Sequence, residues 1–354
     1  MRILIVGLGY AGNRYLQAFN ELRVEFGGIE IAYVSRSLKN CVEPGYTSLP
    51  SALQEIAPDM VVVTVNDVHR AEVLAQLARY AGPIVCEKPM VTAANDLAAV
   101  TAAFGDRDNF YVAQIERYSQ AAIDVKGFIR DQGLKMMRCS FFWAKNRIGD
   151  PRPTSGVISE VIHPIDLIQW IVADGLVPLE EISSHVVASD FSISSEAVID
   201  TVLVTGRICG AVVAGYSSFV GLERMRSVQF ILSDGSPSLI YATATFDSPV
   251  WDADQLRVWR LTDHGEQDGI LSRDYEPEAD AARTGLRKQI SLCRDLLEYL
   301  RDPSHLPGLP SIGEALETQR MLNALAVSTG PTNQFFACSE RFRLAADASA
   351  EVLG

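Results

Sequence analysis

The sequence predicts an α/β protein in two parts: an N-terminal Rossmann-type parallel sheet, then an α+β domain on an open, mainly antiparallel sheet. Three observations predict it. Over residues 1–118 short apolar runs alternate with helical patterns, and beyond 118 strand-like runs follow one another directly. The 354 residues also exceed what one hydrophobic core usually organises. The predicted domains are therefore 1–118 and 119–354.

The first five strands read as 3–6, 29–34, 60–65, 83–86 and 110–115, each apolar almost throughout, as strands covered on both faces are. Between them Tyr15, Leu16, Phe19 and Leu22 recur at helical spacing. So do Val73, Leu74 and Leu77 ahead of Gly82-Pro83, and Leu97, Val100 and Phe104 ahead of Gly105. A helix over 121–130, ended by Gly133, leads into strands at 136–144, 182–189, 198–204, 211–217, 227–233 and 256–261. Helices at 161–172, 286–300 and 312–328 are expected to pack on that second sheet. No internal repeat or low-complexity linker interrupts the chain, and the tail after Gly330 carries no signal.

Composition narrows the function classes. Apolar residues make up 48% and charged residues 21%, which is globular and not disordered composition. No apolar run approaches the roughly 18 residues of a membrane span, and Met1 leads straight into a strand-like run, so a cytoplasmic protein is expected. A formal charge of -13 disfavours nucleic acid and anionic lipid as partners. The six cysteines (Cys41, Cys86, Cys139, Cys209, Cys293, Cys338) show neither a CxxC pair nor metal-finger spacing, so free thiols and no metal are expected.

Gly7-Leu8-Gly9-Tyr10-Ala11-Gly12 follows the first strand and opens the first helix. In that context Gly7 permits the tight turn, Gly9 lets a pyrophosphate approach the backbone, and Gly12 allows close helix–strand packing. The helix N-terminus offers N–H donors and partial positive charge to the phosphates. These residues predict a dinucleotide site in the first domain. About 20 residues on, an NAD site would show Asp or Glu for the ribose 2′-OH; here Ser35-Arg36-Ser37 stands instead. A guanidinium flanked by two hydroxyls suits a 2′-phosphate, so NADP(H) is favoured over NAD(H).

Cys86-Glu87-Lys88-Pro89 follows the fourth strand, Asn66-Asp67-Val68-His69 follows the third, and His163-Pro164-Ile165-Asp166 lies in a later helix. With the glycine fingerprint, these segments resemble the glucose-fructose oxidoreductase, inositol dehydrogenase and rhizopine-catabolism (Gfo/Idh/MocA) family over roughly 1–330. The resemblance implies an active site between a Rossmann domain and an open-sheet domain that binds substrate and mediates oligomerisation. It makes Lys88, before a commonly cis proline, the residue that polarises the substrate oxygen beside the nicotinamide. An ammonium there stabilises a developing oxyanion.

That family also carries a helix His preceded four residues earlier by Asp and followed three later by Asp. His163 and Asp166 match the second part, and Ser159 departs from the first, with Glu160 beside it. His163, alone or with Lys88, is then the acid/base. Pro164 is best tolerated in a first helical turn, which predicts His163 near a helix start, where the dipole favours neutral imidazole. Asn66, His69, Glu87 and Gln114 are candidate cofactor contacts beside Tyr10, Ala11 and the glycines. The locally basic loop with Lys145, Arg147 and Arg152 is a candidate for an anionic substrate group or for solvated charge, and Lys145, Arg147, Glu160, Asp166 and Lys88 are the candidate substrate contacts.

The expected activity is hydride transfer, in the reductive direction, between a nicotinamide and a carbonyl or alcohol carbon of a sugar, nucleotide sugar or cyclitol. Three alternatives suit the same fold: a non-catalytic NADP(H) or metabolite sensor, a redox-neutral NAD-dependent glycoside-cleaving enzyme, and an imine reductase. A homo-oligomer, dimer or tetramer, is expected through the open sheet face.

Overall fold

The computed structural model describes residues 1–333 except 93, 153, 174, 176, 194–196, 263, 278–283 and 328–329, with the side chains of 94 and 95 also outside the description. Cys338 and the tail beyond 333 therefore lie outside the described residues, as does 328, the expected end of the last helix. The elements run, first, β1 (Arg2–Val6), α1 (Tyr10–Phe26), β2 (Glu30–Val34), β3 (Gly45–Tyr46), α2 (Leu49–Ile56), β4 (Met60–Val63), α3 (Arg70–Leu77), β5 (Ile84–Glu87), α4 (Ala94–Phe104) and β6 (Phe110–Ala113). Then follow α5 (Gln120–Asp131), β7 (Lys135–Asn146), α6 (Ile158–Val172), β8 (Glu180–Ser189), β9 (Val198–Ile208), β10 (Ala211–Ser218) and β11 (Val220–Ser233). The chain continues through β12 (Ile240–Thr245), β13 (Asp254–Leu261), β14 (Gln267–Tyr275), α7 (Arg287–Arg301), α8 (Ile312–Leu325) and β15 (Thr332–Asn333).

Two compact units result. The first comprises Met1–Ser119 and Pro277–Arg320, the second Gln120–Glu276 and Met321–Gly354. In the first, six strands pair in parallel in the order β3-β2-β1-β4-β5-β6. This is the doubly wound order, and its reversal point lies between β1 and β4. Ile3, Leu4 and Ile5 of β1 and Val61, Val62 and Val63 of β4 are wholly buried, as strands covered on both faces must be.

The return of 277–320 to the first unit departs from the expected single cut at 118. Helix α7 was expected on the antiparallel sheet. Instead Leu292, Cys293, Leu296 and Leu297 share a core with Ile3, Ile5, Tyr15 and Phe19. The reason lies in polar as well as apolar partners: buried Lys288 reaches the Glu116 carboxylate at 2.7 Å, and Tyr118 donates to Asp295 at 2.5 Å. The early residues of α8, Ile312, Ala315 and Leu316, also belong to a core of this unit.

The second unit is a nine-stranded sheet ordered β14-β13-β12-β11-β7-β10-β9-β8-β15. Among the described residues, β10 with β7 and β15 with β8 pair in parallel and the other neighbours antiparallel. Residues Cys139, Phe141 and Trp143 of β7 alternate inward and share their core with α5 and α6. Met321, Leu322 and Leu325 complete that core. Helix α6 is buried almost all round, with Val161, Ile162, Ile165, Leu167 and Ile168 at most 3% exposed. Among the described residues, no helix is long and apolar enough to cross a membrane.

Candidate active site

Because its strands are all parallel, the first unit carries the turns after β1, β2, β4, β5 and β6 at one carboxyl edge. That topology brings the Gly7–Gly12 segment, Ser35 to Ser37, Asn66 to His69, Glu87 with Lys88, and Gln114 to a common edge. The glycines there divide by role. Gly7 has φ +103°, and a Cβ on it would lie 2.7 Å from the Val65 nitrogen; a Cβ on Gly12 would collide with the Gly7 carbonyl oxygen. Both are required by the fold itself. Gly9 has φ -88° and nothing within 4 Å of where a Cβ would stand, so no neighbour in the fold requires glycine there.

Open space over Gly9 is the approach a pyrophosphate needs, and α1 begins beside it without a side-chain cap and without an acidic residue in its first turn. The Gln114 side chain, 2% exposed at the end of β6, has an Oε1 with no hydrogen-bond partner among the described residues. A buried polar atom of this kind calls for a ligand or water. The residues at this edge thus fit a dinucleotide. Ser35 is half-buried and Arg36 and Ser37 are exposed at the end of β2. Asn66 is exposed and its side chain accepts the Val68 N–H at 3.2 Å, which anchors its own turn.

The Lys88-Pro89 bond is cis. One residue that sequence reasoning missed organises this turn. Arg70, 4% exposed, donates Nη2 to the Val65 carbonyl at 2.8 Å and Nη1 to the Pro89 carbonyl, joining the turns after β4 and β5. Its targets are main-chain atoms, so no residue pattern announces it. Burial pushes the Glu87 carboxyl above its ordinary value, opposed by the Arg70 and Lys88 charges. Burial likewise pushes the Tyr15 hydroxyl well up, with the Glu87 charge adding to it.

The second unit holds the other candidates. Helix α6 begins at Ile158, so Pro164 sits inside it and His163 lies in its second turn, not at the predicted start. The first turn closes through Val161 N–H to the Val157 carbonyl at 3.1 Å, and burial on all sides outweighs the hydrogen bond that Pro164 cannot make. In the second turn the helix dipole acts less on the imidazole than at a helix start. His163 is 5% exposed, stacks on Trp143 at 5.9 Å between centroids, and places Nε2 3.6 Å from Glu160 Oε1.

Glu160 itself accepts from Lys145 Nζ at 2.5 Å and from Arg226 Nη2 at 3.1 Å. Ser159, where the resembled family has Asp, donates to the Gly156 carbonyl at 2.8 Å. Asp166 is 3% exposed one turn beyond His163. The basic loop is internally matched. Arg147 Nε and Arg152 Nη2 reach the Asp150 carboxylate at 2.8 and 2.6 Å, and although burial works against its ionisation, these arginine bonds hold its carboxyl well below the usual range. Two buried atoms of this unit, Trp143 Nε1 and Asp200 Oδ2, have no hydrogen-bond partner among the described residues.

Residues 1–114 match the profile of the oxidoreductase family with NAD-binding Rossmann fold, GFO_IDH_MocA. Over those residues the chain is similar to the Gfo/Idh/MocA oxidoreductases. No curated protein matches the chain in sequence. Among solved structures, levoglucosan dehydrogenase in complex with NADH and levoglucosan is similar with a TM-score of 0.72 at 16% identity, covering 92% of this chain and 96% of that one. The transcriptional regulator Gal80p from Kluyveromyces lactis is similar with a TM-score of 0.71 at 14% identity, covering 92% and 88%. A probable oxidoreductase, YhhX, has a TM-score of 0.68 at 12% identity, covering 94% and 98%. At these identities the likeness is one of fold, and the Gfo/Idh/MocA assignment rests on the N-terminal match.

Proposed function

We propose that this protein is an NADP-dependent oxidoreductase that reduces a carbonyl carbon of a sugar, nucleotide sugar or cyclitol. The observation that carries the proposal is the carboxyl edge of the parallel sheet, where the open approach over Gly9 and the Lys88 turn share one side. Nicotinamide, when bound, supplies the hydride. Gly7, Gly9, Gly12 and the start of α1 hold its pyrophosphate, and Ser35, Arg36 and Ser37 hold a 2′-phosphate. Asn66, His69, Glu87 and Gln114 contact the nicotinamide half.

In this reading Lys88 donates to the substrate carbonyl oxygen and stabilises the charge that develops on it. His163 delivers the proton that turns the alkoxide into a hydroxyl, and receives it in the reverse direction. Trp143 Nε1 as donor and Asp200 Oδ2 as acceptor match a hydroxylated substrate, since each is a buried polar group in need of a partner. The pairing of Arg147 and Arg152 with Asp150, and of Lys145 with Glu160, favours a neutral substrate over an anionic one.

The test is purified protein with NADPH and a panel of keto-sugars and keto-cyclitols, followed by loss of reduced-nicotinamide absorbance. Turnover is expected, with Lys88→Ala losing about 100-fold or more in kcat while retaining nucleotide affinity. Unchanged turnover in that variant removes Lys88 from the chemistry. A second reading is favoured by the likeness to Gal80p, described as a transcriptional regulator: a dinucleotide- or metabolite-responsive regulator of the same fold. Tight NADP(H) binding without turnover on any substrate of the panel supports it.

We also propose that the protein self-associates through the outer face of the second unit's sheet, the face its helices do not cover. Leu203, Tyr216 and Phe142 stand in register there across β9, β10 and β7. Tyr216 stacks on Phe142 at 4.7 Å, and Leu203 is 49% exposed.

A further inference from the structure

We propose that Asp295, Glu298 and His305 of the first unit form a binding site for one divalent cation of the zinc class. None of the three is assigned to the nucleotide or to the substrate, and the proposal is independent of the reaction proposed above.

Among the described residues these three side chains make a group whose ligand atoms, one from each, all lie within 4.8 Å of one another. Asp295 and Glu298 stand three residues apart on α7, so both carboxylates leave the same face near its C-terminal end. His305 comes from the loop after the helix, where its N–H bonds the Asp302 carbonyl at 3.0 Å. Its Nε2 lies 2.6 Å from Asp295 Oδ1 and 3.5 Å from Glu298 Oε2.

An imidazole lone pair and a carboxylate oxygen do not approach to 2.6 Å unless a positive charge stands between them, either a proton or a metal ion. Two carboxylates converge on this nitrogen, and among the described residues no lysine or arginine pairs with either. The C-terminal end of α7 adds the partial negative charge of the helix dipole. One proton leaves the group negative. A divalent cation beside a neutral imidazole cancels both carboxylates.

The Asp295 carboxylate is already aimed. Its other oxygen, Oδ2, accepts the Tyr118 hydroxyl at 2.5 Å and the Gly308 N–H at 2.7 Å, which turns Oδ1 toward His305. Outer partners that orient a ligand in this way are the rule around metal sites. One nitrogen and two oxygens suit Zn2+ or Co2+, whereas Ca2+ and Mg2+ take oxygen ligands. With bonds of about 2.0–2.2 Å to zinc, ligand atoms stand roughly 3–3.5 Å apart. The Glu298 pair has this spacing, and the Asp295 pair reaches it by a small swing of the His305 ring. The side chains of His305 and Glu298, 40% and 37% exposed, leave the fourth position to water.

Bound there, the cation ties α7 to the loop that follows it. That loop continues to Pro310, whose carbonyl accepts the Val112 N–H of β6 at 3.1 Å, and Asp295 holds Tyr118 in the turn after β6. The ion thus braces α7 against the edge strand of the parallel sheet. No cysteine takes part, so the expectation of no metal, drawn from cysteine spacing, does not bear on this set.

The test uses the full chain, without an affinity tag and freed of metal by chelation, titrated with Zn2+ alone by calorimetry and with Co2+ by visible absorption. One equivalent is expected to bind, Co2+ giving the intense visible bands of a four-coordinate site, and zinc is expected to raise the melting temperature. His305→Ala and Glu298→Gln, at partly exposed positions and shown to be folded by circular dichroism, are expected to lower zinc affinity about tenfold or more and to abolish that rise. Tyr118→Phe, which releases Asp295 Oδ2, is expected to lower the affinity about 10-fold. Wild-type affinity in either His305→Ala or Glu298→Gln means an adventitious ion only and overturns the proposal. So does a wild-type chain that binds no equivalent of zinc.

Discussion

Arg70 donates to the Val65 carbonyl oxygen at 2.8 Å while its other terminal nitrogen bonds the carbonyl of Pro89. A single buried guanidinium therefore fixes the backbone on which Lys88 is mounted, relative to the turn after β4. Arg70→Met removes two charge-assisted bonds and leaves two carbonyls without that donor. It is expected to destabilise the protein by about 2–4 kcal/mol, read by urea unfolding, and to lower turnover more than nucleotide affinity. Equal stability in the variant contradicts this account of the turn.

The glycines of the fingerprint separate fold from ligand. Gly12→Ala forces a methyl into the Gly7 carbonyl and should lower both stability and nucleotide affinity, whereas Gly9→Ala meets nothing in the protein. The Gly9 variant is expected to melt within a few degrees of wild type and to lose nucleotide affinity at least tenfold, measured by calorimetric titration. Wild-type affinity in Gly9→Ala contradicts the pyrophosphate site.

In the proposed function Arg36, at the end of β2, discriminates between the two cofactors. Arg36→Ala removes a charge-assisted contact of about 1.5–3 kcal/mol to a 2′-phosphate. The affinity for NADPH is expected to fall roughly 10- to 100-fold, with that for NADH little changed. Equal losses for the two nucleotides contradict the preference.

Glu87 gives a pH signature. Its folded carboxyl titrates above the ordinary value because it is buried, so between that value and its folded midpoint the native state binds more protons than the unfolded chain. The contribution to stability is present at lower pH and is lost as pH rises through this window. Glu87→Gln is therefore expected to flatten the fall in melting temperature from about pH 4.3 toward neutrality. An unchanged slope contradicts the burial of a titrating group there.

Self-association is checked by sedimentation. Leu203→Asp with Tyr216→Asp places two charges on the outer sheet face and is expected to reduce an oligomer to monomers at unchanged circular dichroism. A sedimentation coefficient that does not change moves the interface elsewhere or removes it.

The legible parts of the sequence were those whose physics is local. Strand β4 and residues 3–6 of β1 are apolar throughout because both faces are covered, and Gly7 and Gly12 are demanded by a turn and a close approach that the motif itself encodes. The missed elements lack such signals. Strand β3 has two residues, α2 is a short helix, β12 reads IYATAT with alanine at two of its three buried positions, and β14 is an exposed, largely polar edge. Helix α6 starts earlier than Pro164 suggests because its burial outweighs the proline's preference for a first turn. Arg226 was invisible for another reason: it is 66 residues from Glu160, and only the pairing of β11 with β7 brings it near.

The central claim is that a dinucleotide lies over Gly9 with Lys88 at the reacting oxygen, and the direct measurement is a crystal structure with NADP+ and a hydroxylated substrate bound. The account predicts Lys88 Nζ within about 2.6–3.2 Å of a substrate oxygen whose carbon faces the nicotinamide. A nucleotide bound away from Gly9, or Lys88 Nζ directed away from the substrate, would contradict it.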